Sequence, residues 1–137
     1  EGRQFEQRDW TAKVDPDAVF LPSRLRARCR SYDEEDSYHG FFLNNCKIGL
    51  HGPLEVISRR GMLTFKEGIS KCIEANVADF GMYGEDVFLR RCLRYLSVEK
   101  RDDFRLLSEI NCFENPGTCD AGPGAGKVAF HPFKERD

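Results

Sequence analysis

The chain lacks long hydrophobic runs and has no excess of charge of either sign. Its longest apolar stretch, residues 40–43, is far shorter than the ~20 residues that a membrane-spanning helix needs. The 21 basic and 23 acidic residues give a net charge of -2, so no uniformly basic surface is available to bind a nucleic acid backbone. These absences argue against a membrane-spanning protein and against a nucleic-acid-binding protein.

Recognisable catalytic and cofactor motifs are also missing. The chain has no CxxC pair and no cluster of cysteine and histidine with the spacing of a zinc site. In the glycine-rich segment 121–128, Ala121 and Val128 replace the glycine and the hydroxyl residue that a phosphate-binding loop requires. None of the three histidines lies in a nucleophile motif. We therefore expect no enzyme activity, no cofactor and no metal site.

One acidic run is the remaining candidate for a metal, and it consists of Asp33, Glu34, Glu35 and Asp36. Carboxylate oxygens are ligands that Ca²⁺ prefers, but the run lacks the alternating ligands and the central glycine of a calcium-binding loop. It also precedes a predicted helix, whose dipole favours acidic residues at its start. We interpret the run as a solvated helix entrance, with weak calcium binding or contact with a basic partner as the alternatives.

The size and composition indicate one folded domain. The 137 residues are 40% hydrophobic and 32% charged, which is close to the average for globular proteins. The six cysteines are Cys29, Cys46, Cys72, Cys92, Cys112 and Cys119. An even number of well-separated cysteines is typical of structural disulfides, which predicts a secreted, extracellular protein. Buried free thiols of a cytosolic protein, or a metal or redox site, are the alternatives.

Hydrophobic periodicity predicts an all-α fold, a small disulfide-stapled bundle of about four helices. The predicted helices cover residues 37–50, 62–80, 85–96 and 98–113, and the segment 54–60 is ambiguous between strand and helix. Cys46, Cys72 and Cys92 each lie on the apolar face of a predicted helix. We expect three parts, namely an extended N-terminal arm (1–28), a disulfide-linked helical domain (29–119) and a flexible Gly/Pro-rich tail (120–137).

Three pairs of adjacent basic residues stand out in a nearly neutral chain. The basic residues that we predict to contact a partner are Arg59, Arg60, Arg90, Arg91 and Arg94. The last three fall within one helical turn and predict a local basic patch. Such a patch can steer an acidic protein partner by its field.

The cysteine-containing segments resemble a known family. Within residues 65–77, 87–92 and 112–119, the sequence combines Lys71-Cys72, Arg90-Arg91-Cys92 and a final C-x6-C. This order resembles the central helical region of the stanniocalcins, and the likeness runs from Cys46 to Cys119. It implies a secreted helical glycoprotein hormone that acts through a protein partner. It also implies a Cys72–Cys112 disulfide, with Cys29–Cys46 and Cys92–Cys119 completing one possible set.

The absence of catalytic motifs and the number of cysteines favour a recognition function. We expect a secreted, non-enzymatic ligand of an extracellular protein or receptor, hormone-like or regulatory, which could form a non-covalent homodimer. A carrier of an apolar small molecule is the alternative, because 11 of the residues are phenylalanine and helix bundles can hold ligands between their helices. A venom or effector component shares the same physical features.

Overall fold

A computed structural model of the chain describes residues 4–32, 37–79, 81–112 and 126–133. The three α-helices of this part are α1 (Pro22–Cys29), α2 (Arg59–Glu74) and α3 (Glu85–Tyr95). The seven strands are β1 (Trp10–Val14), β2 (Val19–Phe20), β3 (Phe41–Asn44), β4 (Leu54–Ser58), β5 (Glu99–Asp102), β6 (Leu107–Glu109) and β7 (Ala129–His131). Two short 3-10 helices cover Gln4–Gln7 and Ile110–Cys112.

The strands form two mixed sheets. The central sheet has the order β1-β4-β3-β5, in which β3 and β5 are parallel and the other pairs are antiparallel. The small sheet has the order β2-β7-β6, with β2 antiparallel and β6 parallel to β7. Because β2 follows β1 closely in the chain, the small sheet brings β7 beside the end of β1.

The middle of the central sheet is buried on both faces. Leu43 and Val56 pack against the cluster that includes α1 and the small sheet, whereas Phe42 and Ile57 pack against α2 and α3. Successive side chains of a strand point to opposite faces, so a strand covered on both sides is a nearly continuous apolar run. The runs in β3 and β4 are therefore accounted for by burial on both faces of the sheet.

A buried serine marks the junction of β4 and α2. The Ser58 hydroxyl accepts a hydrogen bond from the Gly61 amide at 3.2 Å and one from the Phe41 amide at 3.0 Å. The first is an N-cap of α2 and the second joins the helix start to β3, which orients α2 along the sheet. Glu85 and Asp86 occupy the first turn of α3, where the helix dipole favours carboxylates.

The predicted all-α fold is wrong, since the protein is an α/β structure. The segments 37–50 and 98–113 were expected to be helices, but they contain β3, β5 and β6. The pattern of Tyr38, Phe41, Phe42 and Cys46 matches one face of a helix, yet a short strand buried on both sides produces the same apolar positions. Tyr38 itself is 86% exposed. The helices predicted over 62–80 and 85–96 are confirmed as α2 and α3, although α2 ends at Glu74.

The chain ends differ from their predicted roles. The segment expected to be an extended arm contributes β1, β2 and α1, and Trp10 packs edge-on against the Phe41 ring with centroids 5.2 Å apart. Residues 126–133 of the predicted flexible tail contribute β7, the middle strand of the small sheet. Pairing with distant strands orders both segments, which local composition does not reveal.

The predicted disulfide pairing is also wrong. The described residues contain the disulfides Cys72–Cys92 and Cys46–Cys112, which exclude the expected Cys72–Cys112, Cys29–Cys46 and Cys92–Cys119 bonds. Cys72 and Cys92 meet because α2 and α3 are neighbours. Cys112 follows β6, so its bond to Cys46 joins the small sheet to the central sheet. Cys29 is a buried free thiol, and Cys119 lies outside the described residues.

The presence of disulfides is thus confirmed, although their partners are not, and it is compatible with a secreted protein. Among the helices that the structure describes, none is both long enough and apolar enough to cross a membrane.

Candidate metal centre

Three potential metal ligands meet where β1 ends and β7 passes. The chain turns after β1, with the Asp15 amide donating to the Pro53 carbonyl at 3.2 Å. In the antiparallel pairing of β2 with β7, Val19 lies opposite Phe130, so Asp17 and His131 emerge beside each other. The Phe133 amide donates to the Asp17 carbonyl at 2.7 Å and holds the two segments together. Two parts of the chain that are distant in sequence therefore form one site.

The ligand atoms are close enough to share one cation. One side-chain ligand atom from each of Asp15, Asp17 and His131 lies within 4.8 Å of the other two. His131 Nε2 is 3.2 Å from Asp17 Oδ1. All three residues are partly buried, so the site is sheltered but reachable from solvent. Two carboxylates and one imidazole suit a divalent cation such as Mn²⁺ or Zn²⁺, and they leave further coordination positions open.

A buried carboxylate lies behind the imidazole. Glu109 is 1% exposed, and its Oε1 atom lies 3.7 Å from His131 Nδ1, which has no hydrogen-bond partner among the described residues. Glu109 is itself fixed by the Asn111 amide at 2.7 Å. A metal-bound histidine generally donates its other ring N–H to a carboxylate, which orients the ring. Glu109 therefore lies on the side of the ring where an orienting carboxylate would bind, at a separation longer than a hydrogen bond.

A second histidine extends the cluster toward α3. His51 Nε2 lies 3.4 Å from Glu109 Oε2, and His51 Nδ1 lies 3.7 Å from Asp86 Oδ2. Asn45 holds this loop, because its side chain accepts from the His51 amide and donates to the His51 carbonyl, each at 2.9 Å. Asp86, His51, Glu109 and His131 thus form a continuous series from the start of α3 to the metal ligands.

Lys13 also connects the end of β1 with the start of α3. Its ammonium lies 3.0 Å from Asp15 Oδ1, forms an ion pair with Glu85 and donates to the Gly52 carbonyl at 3.2 Å. Burial lowers the pKa of Lys13, but the hydrogen bonds to Glu85 and Asp15 and the charge of Glu55 outweigh it and raise that pKa above its ordinary value. Lys13 therefore remains charged and holds Asp15 in place.

Glu55 is a buried carboxyl next to this region. It is 4% exposed and is the cross-strand neighbour of Lys13. Burial raises the pKa of Glu55 to about 7, and the charge of Lys13 only partly opposes that increase. Buried ionisable groups with strongly shifted pKa values cluster at functional sites, which distinguishes this end of the sheet from the apolar core around Ile57.

The structure brings together some of the arginines that the sequence singled out. Arg90, Arg91 and Arg94 line a cavity of about 320 Å³ together with Lys47 and Lys100. We call this the basic cavity. Two of its arginines are fixed by backbone carbonyls, since Arg90 donates to Ile48 at 3.0 Å and Arg91 donates to Val77 at 3.3 Å.

The other predicted partner residues lie elsewhere. Arg59 pairs with Asp9 at 3.1 Å, and Arg60 lines a different cavity beside α2, so neither lines the basic cavity. The acidic run from Asp33 to Asp36 lies outside the described residues. Its interpretation as a helix entrance or as a calcium ligand stays a prediction.

An apolar cavity beside α1 differs in its chemistry from the candidate metal ligands. It has a volume of about 740 Å³ and is lined mainly by apolar and aromatic side chains, among them Trp10, Phe20, Leu25 and Tyr32. Cys29 also lines it, and burial raises the pKa of that thiol to about 11, which makes it a poor nucleophile. We place the functional site at the metal ligands because their carboxylates and imidazole converge, whereas this cavity holds no such cluster among its lining residues.

Sequence reasoning did not find this candidate metal centre. The available signal was the Asp15-Pro16-Asp17 spacing directly after the alternating segment 10–14, which places two carboxylates together at the end of a strand. That signal lay in a segment interpreted as an arm, and His131 lay in a segment interpreted as a loose tail. The resemblance to the stanniocalcins stays a prediction, for comparisons with family models, curated proteins and solved structures found no match to this chain.

Proposed function

We propose that this protein binds a divalent cation through Asp15, Asp17 and His131 and uses it in group transfer from a phosphate-bearing substrate. The observation that supports this most is the convergence of the three ligand atoms within 4.8 Å. The proposal departs from the expectation of a non-enzymatic protein. That expectation rested on the absence of a recognisable motif, which is a weaker argument than three converging ligands.

The chemistry of the site favours a phosphate ligand that arrives with a cation. Mg²⁺ and similar hard cations are commonly held by one or two carboxylates, and substrate phosphate oxygens complete the coordination. The surrounding carboxylates Glu85, Asp86 and Glu109 would repel a free anion. A bound divalent cation acts as a Lewis acid and stabilises negative charge on a departing phosphate.

The residues of this chain suggest how the acceptor would be activated. Asp86 and His51 are adjacent and belong to the same series of contacts as the metal ligands. In the proposed step, an acceptor O–H gives its proton to this pair while its oxygen bonds to the transferred group. The bond between that group and the phosphate oxygen breaks, and the phosphate leaves with the electron pair. Asp86 is thus the proposed general base, with His51 as its partner.

Metal binding can be tested with the isolated protein. We expect Mn²⁺ at about 100 times its dissociation constant to stabilise the fold by about 3 kcal/mol, which a thermal melt would show as a rise of several degrees. Asp17→Asn removes a ligand charge, and we expect it to weaken Mn²⁺ binding by about 100-fold or more in calorimetry.

Asp9→Asn is the matched control for this test, because Asp9 is exposed and pairs with Arg59 away from the site. It should leave Mn²⁺ affinity unchanged. If Mn²⁺, Mg²⁺ and Zn²⁺ all fail to bind the unsubstituted protein, or if Asp17→Asn binds as tightly, the proposed metal centre is wrong.

The basic cavity favours a second candidate, the secreted ligand of an extracellular protein. Lys47, Arg94 and Lys100 add to the two arginines fixed by backbone carbonyls, so positive charge is concentrated on one side of α3. The two disulfides support an extracellular location. In this reading the partner presents an acidic surface to the basic cavity. The apolar cavity beside α1 is the feature that a carrier function would use.

Charge reversal tests the second candidate. We expect Lys47→Glu combined with Arg94→Glu to slow association with poly-L-glutamate about 10-fold or more at low salt, with a smaller effect at high salt. The control Arg26→Glu with Arg105→Glu changes the net charge equally, on residues that do not line the basic cavity. Equal slowing by both double variants would show that net charge, and not this cavity, governs the association.

A further inference from the structure

A further, smaller cavity lies between the central sheet and the two long helices. It has a volume of about 180 Å³ and is lined by Thr11, Lys13, Glu55 and Ile57 from the sheet and by Met62, Phe65 and Leu89 from the helices. We call it the Glu55 cavity. Thr11 faces Ile57 and Lys13 faces Glu55 across β1 and β4, so these four side chains share the face of the sheet that α2 and α3 cover.

Two polar atoms in this cavity have no hydrogen-bond partner. Glu55 Oε1 and Thr11 Oγ1 are both buried, and neither bonds to any of the described residues. A buried polar atom left without a partner destabilises the folded state, and more so when it is charged. Glu55 is 4% exposed and is among the residues that line the cavity, so its unpartnered oxygen lies beside it.

Lys13 cannot satisfy that oxygen. An ammonium has three N–H donors, and those of Lys13 have three acceptors in Asp15, Glu85 and the Gly52 carbonyl. Among the described residues Lys13 therefore does not supply the donor that Glu55 lacks, and a ligand or solvent can supply it.

The charges around the cavity favour a positively charged ligand. Of the described residues that act on Glu55, Lys13 on β1 is the cation, and the anions are Asp15 after β1 and Glu85 and Asp86 on α3. The lining residues that α2 contributes, Met62 and Phe65, carry no charge. Three carboxylates therefore act on Glu55 against one ammonium, and a cationic guest lowers this imbalance more than a neutral guest does.

The shape and walls of the cavity restrict the guest further. Ile57, Met62 and Leu89 present apolar surface, which suits an alkyl chain, and a volume of about 180 Å³ admits only a small group. We infer that the Glu55 cavity binds a primary ammonium group on a short alkyl stem, with the ammonium donating to Glu55 Oε1 and the stem packing against Met62 and Leu89. The ligand class is a small alkylamine or the amine-bearing end of a larger substrate.

Methyl NMR with n-butylammonium chloride tests this inference. We expect saturable shifts of the Met62 and Leu89 methyl signals, with a millimolar dissociation constant at constant ionic strength. Glu55→Gln keeps the side-chain size and removes the charge, and it should weaken binding about 10-fold or more. Glu99→Gln on the exposed strand β5 is the matched control and should bind normally.

Two further measurements separate the cavity from a general charge effect. Leu89→Phe fills the cavity without changing charge and should abolish the methyl shifts, while 1-butanol should bind at least several-fold more weakly than n-butylammonium. The inference is overturned if the unsubstituted protein gives no saturable shifts, if Glu55→Gln binds as tightly, or if 1-butanol binds equally well. The titration is run without divalent cation and repeated with Asp17→Asn, so its outcome does not depend on the metal centre.

Discussion

Replacing Cys46 and Cys112 together with alanine should lower the free energy of unfolding by about 4 kcal/mol, because this bond closes a long loop in the unfolded chain. The two cysteines are 66 residues apart. Cys46 follows β3 of the central sheet and Cys112 follows β6 of the small sheet, so the bond also ties the two sheets together. Both residues are buried, at 0% and 5% exposed, and alanine leaves unfilled space at each position.

The second disulfide is the matched comparison. Cys72 and Cys92 are 20 residues apart, and the shorter loop predicts a smaller loss of about 3 kcal/mol for the corresponding double alanine variant. Urea unfolding of the two variants and of the parent protein, with all remaining cysteines kept in the same state, measures both values. A larger loss at Cys72–Cys92 than at Cys46–Cys112 would contradict the loop-closure argument and would show that contacts between α2 and α3 depend more strongly on their bond.

Replacing Glu55 with glutamine should remove a pH-dependent loss of about 3 kcal/mol in the free energy of unfolding. Each unit by which the pKa of a group differs between the folded and unfolded states corresponds to about 1.36 kcal/mol. Burial raises the pKa of Glu55 from its ordinary value of 4.5 to about 7. A carboxyl with a higher pKa in the folded chain binds more protons when folded. The unsubstituted protein therefore loses stability as the pH rises from about 4.5 to about 7.

The difference between the two proteins isolates this effect from other titrating groups. We expect the stability of Glu55→Gln minus that of the parent to increase between pH 4.5 and pH 7 and to stay level above that range. Chemical unfolding at a series of pH values gives this difference, and Glu99→Gln is again the control because Glu99 is exposed. A difference that is flat across the range, or that decreases, would show that Glu55 ionises normally in the folded protein.

The sequence was sufficient to predict the two long helices. Phe88, Leu89, Cys92 and Leu93 recur with helical spacing, and the structure places Phe88, Cys92 and Leu93 in the buried face of α3. Helical periodicity is a local property, so it can be recognised in the sequence without knowledge of what covers the helix. The same reasoning failed for β3, because strands buried on both faces lose the alternation that identifies a strand.

The candidate site could not be predicted from local patterns. Asp15 and Asp17 lie two positions apart in the sequence, but His131 comes close to them only because β2 pairs with β7. Glu55 is a different case, because a glutamate in a strand with one face exposed is expected to point to solvent. Its burial follows from α2 and α3, which cover that face of the central sheet.

Composition and periodicity alone determined that this is one nearly neutral domain with disulfides and two amphipathic helices. The tertiary structure alone decided that the helices cover a mixed sheet, that Cys46 bonds to Cys112, and that two aspartates and a histidine meet. The physical reason is the range of the interactions. Helical spacing and net charge depend on neighbouring residues or on simple counts, whereas strand pairing, disulfide partners and metal ligands depend on contacts between residues that the fold alone brings together.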